Sequence, residues 1–125
     1  MAALPEKVRQ AWADRDGPAI LATVDADGTP NIIYASAVGM SGDGRIVVAD
    51  NYFDKTRKNI LRGSKAALLF MTKQRKAYQV KGVLEYHQSG PVFDSMKKWN
   101  PPKHPGRAAA ALQAETIYSG ADRIV

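Results

Sequence analysis

Three apolar runs of strand length, separated by two glycine-containing turns, constrain the fold of this chain most. The runs are AILATV (19–24), PNIIYASAVGM (30–40) and RIVVAD (45–50), and their connections are DADG (25–28) and SGDG (41–44). Short connections with this composition join adjacent antiparallel strands. The sequence therefore predicts an antiparallel meander.

Two further strands are predicted in the second half of the chain. They are KAALLFMT (65–72) and AYQVKGVLEYH (77–87), joined by the charged turn KQRK. Gly82 interrupts the second of them, which indicates a β-bulge or the close approach of another segment.

Short helices are predicted around these strands. Residues 5–15 place a proline in the first turn and apolar side chains at helical spacing. Asp54 is an N-cap residue for a second helix that ends at Gly63, and Pro91 begins a third over residues 90–99. The segment 107–118 is ambiguous, because its five alanines favour a helix whereas it ends in strand-forming residues.

The composition limits the classes of function. The chain has no cysteine, so disulfides, thiolate nucleophiles and cysteine-bound metals are excluded, and its two histidines suggest no zinc site. There is no apolar run of about 18 residues and no secretory signal, as is typical of a cytoplasmic protein of one domain, 1–125. The formal charge of +6 comes from scattered cations without a basic stripe, which favours a solvated surface.

The stretch NYFDKTRKNI (51–60) gathers cations where a strand leads into a helix. A helix start carries unpaired N–H groups and partial positive charge, so cations there need full solvation or a compensating anion. Lys55 and Thr56 lie in the first turn, where an ammonium and a hydroxyl can bind a phosphate together with the amides. Both interpretations, exposed lysines and a phosphate site, are open on these grounds.

The order of these motifs resembles the flavin-binding split-barrel family, which includes pyridoxamine-phosphate oxidases and small FMN-binding proteins. The resemblance runs through LATVDADGTPNIIYASAV (21–38) and GRIVVADNYFDKTRKNI (44–60) to KKW (97–99). It implies a mainly β fold, a six-stranded antiparallel split barrel in which 107–118 is a strand. It also implies a homodimer that binds FMN between its subunits.

The resemblance also implies where each part of FMN binds. Lys55 and Thr56 would hold the phosphate, and the second strand would follow the isoalloxazine ring largely through its main chain. The residues that leave the third strand would flank the polar edge of the ring, and Trp99 would approach the cofactor across the dimer. The complete set of expected cofactor-binding residues is Ile33, Tyr34, Ala35, Ser36, Asp50, Asn51, Tyr52, Lys55, Thr56 and Trp99.

An oxidoreductase or an electron carrier follows from this reading, with no catalytic side chain and no metal ligand assigned, because a flavin carries the redox step itself. Full pyridoxamine-phosphate oxidases have a longer C-terminal part, so that activity is not expected here. The electron donor and acceptor are unknown.

Two alternatives remain: a split barrel that uses a deazaflavin or haem, and a basic nucleic-acid-binding β-barrel. A second subunit is the expected partner, and a small-molecule or protein redox partner stays unknown, whereas neither nucleic acid nor a membrane is expected as a partner.

Overall fold

The computed structural model describes residues 3–125, which contain three short α-helices and eight β-strands. The helices are α1 (Glu6–Ala13), α2 (Lys55–Leu61) and α3 (Pro91–Trp99). The strands are β1 (Ala19–Val24), β2 (Pro30–Ala35), β3 (Val38–Met40), β4 (Ile46–Asp50), β5 (Lys65–Met71), β6 (Ala77–His87), β7 (Ala108–Ser119) and β8 (Asp122–Arg123).

All strands belong to one antiparallel sheet that curls back on itself. The order along the sheet is β2-β1-β5-β6-β7-β4-β3, with β8 paired to β7. The strands at the two ends of this path, β2 and β3, follow each other in the chain and are joined only by Ser36 and Ala37. The two edges of the sheet must therefore lie close together. This architecture confirms the expected split barrel.

The predicted strand 30–40 differs from the observed structure, because it divides at Ser36 and Ala37. Its first half pairs with β1, and its second half pairs with β4. One continuous strand cannot serve both edges of a curled sheet. This division and the two-residue strand β8 explain why eight strands are observed where six were expected.

Strand β7 overrides the helical propensity of its alanines. It lies between β6 and β4, and Ala108, Ala109, Ala110 and Ala111 are fully buried. Small side chains suit a strand that is covered on both faces, and its backbone hydrogen bonds go to two neighbours. Pairing with the neighbouring strands thus determines the secondary structure of a segment whose local preference is weak, and the segment is a strand, as the family resemblance implied.

Gly82 lies at a β-bulge where β6 passes β7, as predicted. The register shifts between Lys81 and Gly82, and a Cβ atom built at Gly82 would lie 1.8 Å from the carbonyl oxygen of Gln113. No residue with a side chain fits there unless the backbone moves. This close approach fixes the alignment of the two longest strands.

The core fills the inside of the curled sheet and extends under α1. Its largest buried side chains include Leu21, Ile46, Leu68, Leu112 and Ile117. Helix α1 is shorter than predicted and contributes the buried residues Val8 and Trp12. Within residues 3–125, no helix has the length and apolar character needed to span a membrane.

Candidate functional site

A cavity of about 340 Å³ opens where the two edges of the sheet meet. Its walls come from the end of β2 and the link to β3, from the middle of β4, and from the turn that leads into α2. The lining residues are Asn31, Ile33, Tyr34, Ala35, Ser36, Ala37, Val48, Ala49, Asn51, Tyr52, Phe53, Asp54, Lys55, Thr56 and His104.

Most of the residues expected to bind a cofactor line this cavity together. The second strand contributes residues 33–36, and the turn after β4 contributes Asn51, Tyr52, Lys55 and Thr56. Asp50 and Trp99 do not line it. The arrangement brings one cation and one hydroxyl to the α2 end, and apolar strand residues to the remaining wall.

Lys55 differs from the other cations of its segment. Arg57 pairs with Asp50 through Nε at 2.7 Å, and Lys58 lies 3.9 Å from Asp54. Lys55 is exposed at the cavity and, among residues 3–125, has no ion-pair or hydrogen-bond partner. A free ammonium at a cavity wall is available for an anionic ligand, whereas the Arg57 guanidinium is held by the buried Asp50 carboxylate.

Asp50 holds the turn between β4 and α2 through hydrogen bonds to its buried carboxylate. Its carboxylate is fully buried and accepts hydrogen bonds from Arg57 Nε and Nη2, from the Phe53 amide and from the hydroxyl of Tyr86. Burial raises the pKa of the Asp50 carboxyl, but these donors outweigh burial and hold the pKa below its ordinary value. Asp50 therefore stays ionised and shapes the turn that carries Lys55, and its oxygens are already used inside the chain.

The expected N-cap at Asp54 is not formed by its side chain. Asp54 precedes α2, but its carboxylate accepts no capping hydrogen bond and lies exposed at the cavity. The turn is instead held by the backbone contact of Phe53 with Asp50 and by the buried side chain of Thr56. The exposed Asp54 carboxylate instead lies 3.9 Å from Lys58 Nζ.

His104 lines the cavity, although the sequence assigned it no role in the site. Asn51 and Asn100 exchange two side-chain hydrogen bonds of 3.0 and 2.9 Å, and the Gly106 amide also donates to Asn51 Oδ1 at 2.9 Å. These bonds attach both ends of the loop 100–106 to the turn after β4. His104 Nδ1 thereby comes within 3.1 Å of the Tyr52 hydroxyl. No local sequence signal predicts a contact between segments so far apart.

Trp99 lies at the end of α3, in a second and smaller apolar cluster with Met96, Val47 and Ala49. Its indole ring covers Gly39, where an added Cβ would lie 2.6 Å from Trp99 Cε2. This packing accounts for the tryptophan within one subunit. Its expected contact with a cofactor of the other subunit stays a prediction.

An apolar face borders the cavity on the outside of β2, β1 and β5. Cross-strand pairing aligns Tyr34 with Ile20 and Ile20 with Leu69, and Ile32 lies opposite Ala22. Tyr34 and Ile32 are 77% and 68% exposed. A second hollow on this face is lined by Ile20, Ile32, Ile33 and Tyr34, so it shares two residues with the cavity. Contiguous exposed apolar surface is a common feature of interaction sites in proteins.

Among the described residues there is no group of three or more histidine, aspartate or glutamate side chains that could hold a metal ion. The cavity presents the free ammonium of Lys55, the carboxylate of Asp54, the ring of His104, hydroxyl and amide groups, and apolar walls. These features suit a flat ring with an anionic substituent.

Comparisons with known proteins agree with the observed fold. The profile of a family described as pyridoxamine 5'-phosphate oxidase matches residues 4–119. An uncharacterized protein of Methanocaldococcus jannaschii is 31% identical over an alignment of 104 positions that covers 79% of this chain and 70% of that protein. HupZ from Group A Streptococcus has a TM-score of 0.77 at 25% identity, with 93% of each chain covered. An FMN-binding protein from Syntrophomonas wolfei has a TM-score of 0.76 at 27% identity, covering 91% of this chain and 84% of that chain.

More distant structures share the fold but differ in the cofactor that their descriptions name. An F420 reductase has a TM-score of 0.68 at 16% identity, covering 92% of this chain and 98% of that chain. A heme binding protein from Mycobacterium smegmatis has a TM-score of 0.73 at 15% identity, covering 91% and 52%. The fold thus occurs with FMN, F420 or haem, and only the residues of the cavity can favour one of them.

Proposed function

The chain belongs to the pyridoxamine 5'-phosphate oxidase-like split-barrel family, and we propose that it is a cytoplasmic FMN-binding flavoprotein that acts as an oxidoreductase or electron carrier. The observation that carries this proposal is the free Lys55 ammonium beside Thr56, at one end of a cavity whose other walls are apolar strands. An anionic group and a flat ring, joined by a short chain, fit these two parts.

The phosphate would occupy the α2 end of the cavity. The Lys55 ammonium makes no ion pair among residues 3–125, because the nearby Asp54 carboxylate lies 3.9 Å from Lys58 instead, and Thr56, the next residue in the chain, also lines the cavity. Hydrogen bonds to a charged partner are shorter and stronger than neutral ones. Lys55 and Thr56 together would therefore favour a phosphate ester over an uncharged group. Haem carries carboxylates but no phosphate ester, so a phosphate site at Lys55 and Thr56 favours a flavin phosphate over haem.

The ring would lie along β2. In the described sheet β2 is an end strand that pairs with β1 on one side, so the main-chain groups on its other side are not used by a neighbouring strand and would be able to contact the ring. Val48 and Ala49 form the wall from β4 and limit the access of water. When bound, FMN supplies the electron transfer itself.

The visible absorbance spectrum of the protein as isolated tests this proposal directly. We expect a yellow protein with a flavin spectrum, and mass spectrometry of the released ligand should give the mass of FMN. A haem spectrum, or a released ligand with the mass of a deazaflavin, would contradict FMN binding and support the corresponding alternative cofactor. A colourless protein that takes up no added FMN would contradict the proposal.

We further propose that the protein is a homodimer whose subunits meet at the apolar face of β2, β1 and β5. This face is continuous with the cavity through Ile33 and Tyr34, so a second subunit seated there would also cover the open side of the cofactor site. Association through an isologous surface is the commonest arrangement in homodimers. The same contact would remove Ile32 and Tyr34 from water.

Ile32→Glu should convert the dimer into monomers. Ile32 is exposed in the subunit, so the change leaves the folded chain intact but would bury a carboxylate in the dimer, at a cost of several kcal/mol. Sedimentation equilibrium at low micromolar concentration should give about twice 13.6 kDa for the wild type and the single-chain mass for the variant. Leu61→Glu, at an equally exposed apolar residue on α2, is the matched control and should stay dimeric. A dimeric Ile32→Glu variant would disprove this interface.

A further inference from the structure

We propose that Asn31 is a positioning residue that fixes the direction of the Thr56 hydroxyl and so determines the preference of the site for a phosphate ester. Asn31 lies on β2 and lines the cavity. Its Nδ2 donates hydrogen bonds to Thr56 Oγ1 at 2.9 Å and to Thr23 Oγ1 at 3.1 Å. Asn31 is 7% exposed and Thr56 is 2% exposed, so both bonds are shielded from water. This inference rests on the proposed function.

A series of side-chain hydrogen bonds, the polar chain, connects Asn31 through Thr23 and Asn59 to two charged groups, Arg62 and Asp25. Arg62 Nη2 donates to Asn59 Oδ1 at 3.1 Å, and Asn59 Nδ2 donates to Asp25 Oδ1 at 2.8 Å. A guanidinium can only donate and a carboxylate can only accept, so the amide of Asn59 has a single orientation. Asn59 Nδ2 then also donates to Thr23 Oγ1 at 3.0 Å, and Thr23 accepts from Asn31 on its other side.

The direction of these bonds matters for the cavity. A hydroxyl has one proton to donate and two lone pairs to accept. Because Asn31 donates to Thr56 Oγ1, the proton of Thr56 remains available, and it has no acceptor among residues 3–125. A phosphate oxygen accepts such a proton, and the neighbouring Lys55 supplies charge to the same group. A neutral hydroxyl of riboflavin can either donate or accept, so it gains little from a fixed donor.

Asn31→Asp reverses this polarity with almost no change of shape. At about pH 8 the new carboxylate is ionised and can only accept. The hydroxyls of Thr23 and Thr56 would then donate to it, and Thr56 would present lone pairs to the cavity. We expect the ratio of the riboflavin Kd to the FMN Kd, measured on the dimer by flavin fluorescence, to fall about tenfold. The riboflavin Kd should change by less than about twofold.

A double-mutant cycle with Thr56→Val separates positioning from the charge of the new carboxylate. If Asn31 acts through Thr56, Asn31→Asp should lower the ratio by only about threefold or less once the hydroxyl is absent. The same tenfold loss in the Thr56→Val background would overturn the inference, because the charge would then act directly. Thr56→Ser keeps the hydroxyl and should keep the wild-type ratio.

Asn31→Ala removes the hydrogen-bond donor without adding charge. This variant tests the same inference if Asn31→Asp does not fold. It should lower the ratio about threefold or more. A wild type that prefers FMN, together with an unchanged ratio in Asn31→Ala, overturns the inference and leaves the proposed function standing. A wild type that binds neither flavin overturns the proposed function and this inference with it.

Discussion

Lys55→Ala is expected to raise the Kd of FMN roughly 10- to 150-fold while the Kd of riboflavin stays unchanged. The range corresponds to about 1.5–3 kcal/mol for a hydrogen bond to a charged group. Lys55 is the residue of choice because it lines the cavity and has no ion-pair partner within residues 3–125. Removing its ammonium therefore breaks no interaction that stabilises the fold, and the effect should appear only with the phosphorylated ligand.

Lys58→Ala is the matched control for this experiment. Lys58 is exposed, lies one turn further along α2 and does not line the cavity. Its removal changes the net charge as much as the removal of Lys55 does. Titrations of both variants with FMN and riboflavin should therefore separate a local contact from the general attraction of a basic protein for an anion. Equal losses for FMN and riboflavin in Lys55→Ala would contradict the phosphate assignment, as would equal losses in both variants.

Gly82→Ala should lower the free energy of unfolding by about 3 kcal/mol, the upper part of the range for overpacked sites. The new Cβ would lie 1.8 Å from the carbonyl oxygen of Gln113, which belongs to the backbone of β7 and cannot rotate away. Strands β6 and β7 would have to separate or change register near the middle of the sheet. Urea unfolding at one fixed protein concentration measures the effect.

Gly42→Ala is the control for the loss of a glycine. A Cβ at Gly42 would have no atom within 4 Å, and its φ is not positive. Its effect should stay within about 0.5 kcal/mol, as for most surface substitutions. A Gly82→Ala variant as stable as Gly42→Ala would show that the bulge tolerates a side chain, and that the contact with Gln113 does not fix the register.

The strands and turns were predictable because their signals are local. Alternating or continuous apolar runs bounded by glycine turns identify β1, β4, β5 and β6 within one or two residues. Strand β7 was not predictable from its own residues, since five alanines favour a helix and only the neighbouring strands decide otherwise. The resemblance to a known family supplied that information from outside the segment.

The parts of the site that are formed by short contiguous segments were predictable from the sequence. Residues 33–36 and the turn from Asn51 to Thr56 are short segments, and the structure brings them together at one cavity. His104 and Asn31 were missed because their roles depend on contacts that sequence spacing does not encode. His104 depends on the amide pair of Asn51 and Asn100, and Asn31 depends on a polar chain that reaches Arg62. Asp50 looks like a cavity carboxylate in the sequence, but its buried pairing with Arg57 removes it from the cavity.

The loop 100–106, held at both ends by Asn51, makes the protein suitable for site-specific labelling. Lys103 is exposed beside His104, which lines the cavity, and the chain contains no cysteine. Lys103→Cys would therefore create a single reactive thiol, able to carry one fluorophore per subunit. Since the hydrogen bonds at Asn100 and Gly106 restrain the loop, the dye would stay close to the cavity and report ligand entry through energy transfer or quenching.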